Sequence, residues 1–139
     1  MSSSAFLEKI EILAGRLYFC TVPHKSPAVD ENGQPSYAIK KKNMSSQYIY
    51  YCTDASLTYT AFFADFGPLN IGLTYNFCEQ LDTYLTQSEV EKRPVIYYCS
   101  QHPHYRANSA ILICAYLIFV QGMTVEQAYA PFIGISPRL

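Results

Sequence analysis

The sequence contains no long hydrophobic run and no excess of charge of either sign. Its longest unbroken apolar stretch covers residues 110–120, whereas a transmembrane helix needs ~20 apolar residues. The formal net charge is −1 at pH 7, so no general electrostatic attraction to nucleic acid or to an anionic membrane is expected. We therefore predict neither a nucleic acid nor a membrane among the partners.

The sequence also has no CxxC motif. Its five cysteines are Cys20, Cys52, Cys78, Cys99 and Cys114. They are odd in number and most lie in apolar segments, which favours reduced, buried thiols over a disulfide framework. We expect an intracellular location, cytoplasmic or nuclear.

What is present suits one globular domain, because 50% of the 139 residues are hydrophobic and 15% are charged. In the first half, apolar residues at three-to-four spacing predict a short helix within 4–14. β-Branched and aromatic residues predict strands at 16–22 and 47–53. Prolines, a glycine and a lysine run predict a surface loop insertion over 23–46.

The second half alternates helical and extended patterns, which indicates an α/β domain with a mostly parallel central sheet flanked by helices. The predicted elements are a helix from Leu69 to about Thr86, a charged turn at 89–93, a strand at 94–99 buried on both faces, a buried helix over 106–122 that ends at Gly122, and a last helix with Thr124 as N-cap and Gln127 at the capping-box position.

A strand, a short loop with an arginine and a buried helix follow one another at 94–122. Cysteine-dependent phosphatases build their phosphate loop in this order. Such a loop needs a thiolate nucleophile, glycines that let the backbone approach the phosphate, converging amides at a helix N-terminus, and an arginine fork on two phosphate oxygens. Five residues separate the cysteine from the arginine, and a hydroxyl follows the arginine.

The loop in this sequence keeps the arginine and departs from most of the other requirements. Six residues separate Cys99 from Arg106, and the residue at the correct spacing is Ser100. The loop has no glycine, Pro103 removes an amide donor, and Ala107 stands where the hydroxyl belongs. We interpret the segment as a degenerate phosphate loop without a catalytic residue; its members are Cys99, Ser100, Gln101, His102, Pro103, His104, Tyr105 and Arg106.

Three other interpretations of these residues stay open. Cys99, His102 and His104 lie close enough in sequence for a zinc site, but no fourth ligand has matching spacing, and we predict no metal and no cofactor. Arg106 could hold an anion without chemistry. It could also be a helix-start arginine that pairs locally or faces solvent, with Cys99 as a small core hydrophobe.

Three segments resemble the N-terminal half of the Cdc14 family of dual-specificity phosphatases. They are "FFADFGPLN" (62–70), "RANSAILICAYLIF" (106–119) and "TVEQAY" (124–129), and "RLYF" (16–19) fits the opening strand of that half. The resemblance covers most of the chain except 23–46. It implies a protein-tyrosine-phosphatase-like fold for residues 1–139 as a single domain.

The resemblance also implies a role. In that family two phosphatase-like domains lie in tandem, the second is catalytic, and the first helps to form the groove for phosphoprotein substrates, often phosphoserine followed by proline. The expected partners are thus phosphoproteins and a catalytic domain beyond Leu139, with this chain a fragment of a longer phosphatase. Glu8, Glu11 and Glu126 are candidate groove acids by charge only, and solvated surface is the simpler interpretation of each.

Three functional hypotheses follow. The first is a non-catalytic domain of a Ser/Thr/Tyr phosphatase that supports substrate binding and packs on a catalytic domain. The second is a phosphopeptide- or anion-binding module that stands alone and uses Arg106. The third is an active phosphatase with Cys99 as an unusually spaced nucleophile.

Overall fold

The computed structural model describes residues 6–23, 45–53 and 71–133. Within these ranges it has an α/β architecture with one mixed four-stranded sheet and three helices. The elements are β1 (Glu8–Leu13), β2 (Leu17–Val22), β3 (Ile49–Tyr51), α1 (Ile71–Glu91), β4 (Val95–Ser100), α2 (Pro103–Phe119) and α3 (Val125–Tyr129), followed by a 3₁₀ turn at Ala130–Phe132. None of the described helices is long and apolar enough to cross a membrane.

The sheet has the strand order β1-β2-β4-β3. Strand β4 lies between β2 and β3 and is parallel to both, whereas β1 is antiparallel to β2. All six residues of β4 are buried. This confirms the predicted doubly buried strand, since a central parallel strand is covered on both faces. The strands predicted at 16–22 and 47–53 are also present, the second only over Ile49–Tyr51.

The helix predicted within 4–14 is wrong, because the structure has strand β1 there. Apolar residues at three-to-four spacing suggested the helix, but Ile10 and Ile12 also alternate as in a strand, and short patterns are ambiguous between the two. Pairing with β2 decides the outcome: Ile10 lies opposite Phe19. Gly15, at φ +68°, supplies the left-handed residue of the intervening turn.

Alternation along the strands separates the side chains of the two sheet faces. On the helix-covered face, Phe19, Tyr97 and Cys99 belong to the main core together with residues of α1 and α2. On the other face, Cys20, Val22, Ile96 and Tyr98 form a smaller cluster. Glu8 shares its parity with Ile10 and Ile12, so strand β1 directs Glu8 toward the face that carries α2.

Helix α1 ends later and helix α2 begins earlier than the sequence predicts. Helix α1 continues to Glu91 through most of the predicted turn at 89–93, and its last turn contains a hydrogen bond from Gln87 to Glu91. Helix α2 begins at Pro103, three residues before the predicted start, because proline suits the first turn of a helix. Residues 24–44, which make up most of the predicted insertion, and the motif at 62–70 lie outside the described residues.

The ends of α2 and α3 follow the sequence. Gly122 has φ +73° after the last turn of α2, as predicted for a glycine that ends a helix. Thr124 caps α3: its hydroxyl accepts from the amide of Gln127, and the Gln127 side chain accepts from the amide of Thr124. The predicted capping box is confirmed.

Candidate functional site: the junction of β4 and α2

The connection between β4 and α2 is shorter than the loop predicted over residues 99–106. Strand β4 ends at Ser100 and α2 begins at Pro103, so the connection between them consists of Gln101 and His102 alone. Arg106 lies in the first turn of α2 rather than at the end of a loop. A two-residue connection leaves little backbone to wrap around a phosphate group.

The amide groups of this connection are engaged elsewhere. The amide of Gln101 donates to the carbonyl of Val22 at 2.9 Å, which extends the pairing of β2 with β4. The amide of His102 donates to the hydroxyl of Ser100 at 2.9 Å. Pro103 has no amide proton. A phosphate loop needs such amides to converge on the ligand, and these donors point to the protein's own oxygens.

Ser100, at the position of the nucleophile, is fully buried. Its hydroxyl oxygen accepts the His102 hydrogen bond two residues on, which is the local turn that serine commonly forms. The side chain thus stabilises the exit from β4. The His102 amide is a donor and does not accept the hydroxyl proton, whereas a serine nucleophile needs an adjacent base that does.

Cys99 lies inside the main core. Its residue is 0% exposed and belongs to the cluster formed with the helices. In the sheet it lies opposite Thr21 of β2. A thiol in this position fills volume like a small hydrophobe and is not presented to solvent.

Burial affects the thiol pKa of three of the other cysteines. Burial raises the pKa of the Cys20 thiol to about 12, and it also raises the pKa of the Cys78 and Cys114 thiols. These three thiols stay protonated at neutral pH and are poor nucleophiles. All five cysteines are free thiols in the structure.

Arg106 is held by a carboxylate from the far end of the sequence. Its Nε donates to Glu8 Oε1 and its Nη2 donates to Glu8 Oε2, both at 2.9 Å. The Arg106 side chain is 4% exposed and that of Glu8 is 21% exposed. Thr21 is buried, and its hydroxyl donates to Glu8 Oε1 at 3.2 Å. The guanidinium fork, which would clamp a phosphate in an active loop, here clamps a carboxylate.

Glu8 is the residue of this site that sequence reasoning placed incorrectly. It was a groove candidate or a solvated charge, and Arg106 was expected to bind an anion, pair locally or face solvent. The two residues are separated by 98 positions, so no local pattern connects them. The available signal was the alternation of Ile10 and Ile12, which puts Glu8 on the inward face of a strand.

The described contacts of the other predicted residues are with different groups. The His102 ring packs edge-on against Tyr105, with ring centroids 5.9 Å apart; the side chain of His104 lies outside the described part. Glu11 accepts hydrogen bonds from the Gly15 amide and the Tyr18 hydroxyl, and Glu126 is exposed in the first turn of α3. Among the described residues, no group of three His, Cys, Asp or Glu side chains could hold a metal ion.

Comparison with known proteins identifies the family of the chain. The family model "Dual specificity protein phosphatase, N-terminal half" matches residues 11–139. Tyrosine-protein phosphatase CDC14 of Candida albicans is 32% identical over 138 residues, which cover 99% of this chain and 22% of the relative. Dual specificity protein phosphatase CDC14A of Homo sapiens is 29% identical over 134 residues, which cover 96% of this chain and 20% of the relative.

The chain thus spans about a fifth of the length of the curated relatives that it matches. The resemblance inferred from the motifs at 62–70, 106–119 and 124–129 is confirmed by these matches. The chain belongs to the family of N-terminal halves of the Cdc14 dual-specificity protein phosphatases.

Proposed function

We propose that this chain is the non-catalytic, phosphatase-like N-terminal domain of a dual-specificity protein phosphatase acting on phosphorylated Ser, Thr and Tyr, and that it resides inside the cell. In this role it contributes to the binding of phosphoprotein substrates and packs on a following catalytic domain. The printed names of the relatives, which are tyrosine-protein and dual specificity phosphatases, supply the class of reaction.

The observation that carries the non-catalytic assignment is Ser100. It occupies the nucleophile position at the five-residue spacing from Arg106, it is buried, and its oxygen is engaged by the His102 amide. Phosphoryl transfer through a covalent intermediate needs an activated nucleophile and donors aimed at the phosphate. The described contacts at the junction argue against both, because the Gln101 and His102 amides and the Arg106 guanidinium bind oxygens of the chain.

The alternative nucleophile, Cys99, is disfavoured by its location. A phosphate monoester would have to reach a side chain that is 0% exposed and packed in the main core. Opening that core would expose apolar area of helices α1 and α2, at a cost of about 25 cal/mol for each Å². We therefore assign Cys99 a packing role.

Packing on a following domain is supported by exposed apolar side chains near the C-terminal end of the described chain. Phe119 is 76% exposed, Val125 is 67% exposed and Ile133 is 65% exposed. Large exposed apolar side chains are typical of surfaces that contact another protein or domain where they form one patch. In the proposed parent enzyme they would be covered by the catalytic domain.

A direct assay tests the proposal. The 139-residue chain and a longer version that includes the following domain are compared on p-nitrophenyl phosphate and on a phosphoserine-proline peptide. We expect turnover from the longer version only. Turnover by the short chain that is lost in Ser100→Ala or in Cys99→Ser would refute the non-catalytic assignment. Cys52→Ser is the matched control, because Cys52 lies at the end of β3, outside the junction.

A further inference from the structure

The contact between Arg106 and Glu8 has the form of a bound anion. Both carboxylate oxygens accept from the guanidinium fork at 2.9 Å, and one of them also accepts from the Thr21 hydroxyl at 3.2 Å. Arginine binds phosphate oxygens with the same bidentate geometry. The fork and the hydroxyl therefore make a donor set that suits any oxyanion of similar size.

The two sides of the contact differ in accessibility. Arg106 and Thr21, the donors, are 3% and 0% exposed and are fixed by helix α2 and by the sheet. The Glu8 side chain is 21% exposed and belongs to the first residue of β1, at the outer edge of the sheet. The acceptor is thus the partner nearer to solvent, and its removal would open the donor set from outside.

A buried guanidinium strongly favours a counter-anion, since an uncompensated buried charge is costly. We propose that Arg106 and Thr21 form an oxyanion site whose resident ligand is the Glu8 carboxylate, and that inorganic phosphate or sulfate binds there once that carboxylate is removed. The inference rests on the proposed function in one respect, because it treats the junction as a former phosphate site.

The test is chemical rescue of stability in the full 139-residue chain. Thermal unfolding is measured for three proteins: Glu8→Ala, the unsubstituted chain and the control Glu11→Ala. Each is unfolded in phosphate, sulfate, formate and chloride solutions of equal ionic strength. Glu11 lies on the same strand and carries the same charge, but its contacts are with Gly15 and Tyr18. We expect phosphate, sulfate or formate to raise the Tm of Glu8→Ala by at least about 5 °C, as a ligand that binds only the folded state does.

The unsubstituted chain and Glu11→Ala should respond to these anions much less, because Glu8 competes for the site in both. The double variant Glu8→Ala/Arg106→Leu should lose the response of Glu8→Ala. A Tm that rises equally in all variants would overturn the proposal. O-phosphoserine is run beside inorganic phosphate: an equal response means that the opened site admits a phosphate monoester, and a response to phosphate alone means that it admits the free ion only.

Two further measurements keep the proposal falsifiable. If Glu8→Ala is unfolded in chloride, circular dichroism should show that it folds when phosphate is added. Glu8→Gln, which keeps the shape of the side chain without its charge, should show a smaller rescue in the same direction. Absence of rescue in both variants would contradict the proposal and leave the non-catalytic assignment standing, because that assignment depends on turnover and not on anion binding.

Discussion

An arginine–glutamate pair lies near each end of strand β4, and the two pairs differ in burial and in sequence separation. At the carboxyl end, Arg106 and Glu8 are 98 positions apart, with side chains 4% and 21% exposed. At the amino end, Arg93 and Glu91 are two positions apart, with side chains 33% and 37% exposed. The Arg93 Nη1 to Glu91 Oε1 distance is 2.6 Å, so the exposed pair is the shorter one.

Contact distance is therefore a poor guide to what such a pair contributes. An exposed pair loses most of its attraction to water and to the entropy of two long side chains. A buried pair gives little net stability when intact, yet loss of one partner leaves a charge without compensation. The carboxyl-end pair also joins β1 to α2, whereas the amino-end pair lies within one turn. Substitutions at the two ends should therefore differ in the size of their effects.

The largest effect is expected at the carboxyl end. Arg106→Leu should lower the free energy of unfolding by about 3 kcal/mol, because it leaves Glu8 in a largely buried place without its cation. Urea denaturation followed by circular dichroism measures this loss. The double variant Glu8→Ala/Arg106→Leu should lose much less than the sum of the two single variants, since residues in direct contact are not additive.

Arg93→Leu is the matched control for that experiment. Its guanidinium also donates to the Tyr48 carbonyl at 2.6 Å, so some stability should be lost. The loss should still be several-fold smaller than that of Arg106→Leu. Equal losses at the two ends would contradict the view that burial, and not contact length, separates the pairs.

A smaller effect is expected for two cysteines that differ in burial, Cys99 in the main core and Cys52 just after β3. Cys99→Ser places a hydroxyl in the apolar core and should cost about 1–3 kcal/mol. Cys52→Ser, at the half-buried end of β3, should cost clearly less. The same denaturation experiment measures both. A neutral Cys99→Ser variant would mean that this end of β4 is wetter than its burial indicates.

The same contrast explains what sequence reasoning could and could not reach. The strand β4, the helix α2 and the Thr124 capping box were predictable, because each depends on a continuous apolar run or on residues three positions apart. The interpretation of the Ser100 to Arg106 spacing as a degenerate loop stays a prediction. Whether that loop retains an anion site through Arg106 stays a prediction.

Non-local contacts account for what was missed. The apolar spacing within residues 4–14 predicts a helix, but pairing with strand β2, and not that spacing, selects the extended form of β1. Charge alone suggested a surface position for Glu8, whereas its contact with Arg106 depends on the β1–β2 pairing, the β2–β4 pairing and the start of α2 at Pro103. The end of α1 was placed five residues early, because the last turn is held by the Gln87–Glu91 hydrogen bond and not by apolar residues.

The smallest effect concerns pH at the amino end. Hydrogen bonds from Gln87 and from Arg93 hold the pKa of Glu91 below its ordinary value of 4.5. A carboxyl whose pKa is lowered by folding adds stability above its unfolded pKa and loses it as the pH falls through the folded value. The contribution of Glu91 should thus be complete at neutral pH and disappear in acid below about 4.5. NMR titration of the Glu91 carboxyl measures the shift directly.

Substitution identifies the groups that cause this shift. Gln87→Ala and Arg93→Leu should each return the Glu91 pKa toward its ordinary value, because hydrogen bonds from both side chains lower it and the charge of Arg93 adds to the effect. A Glu91 pKa that is insensitive to both variants would mean that the amino-end pair is not formed in solution, and the contrast with the buried pair at the carboxyl end would then be sharper still.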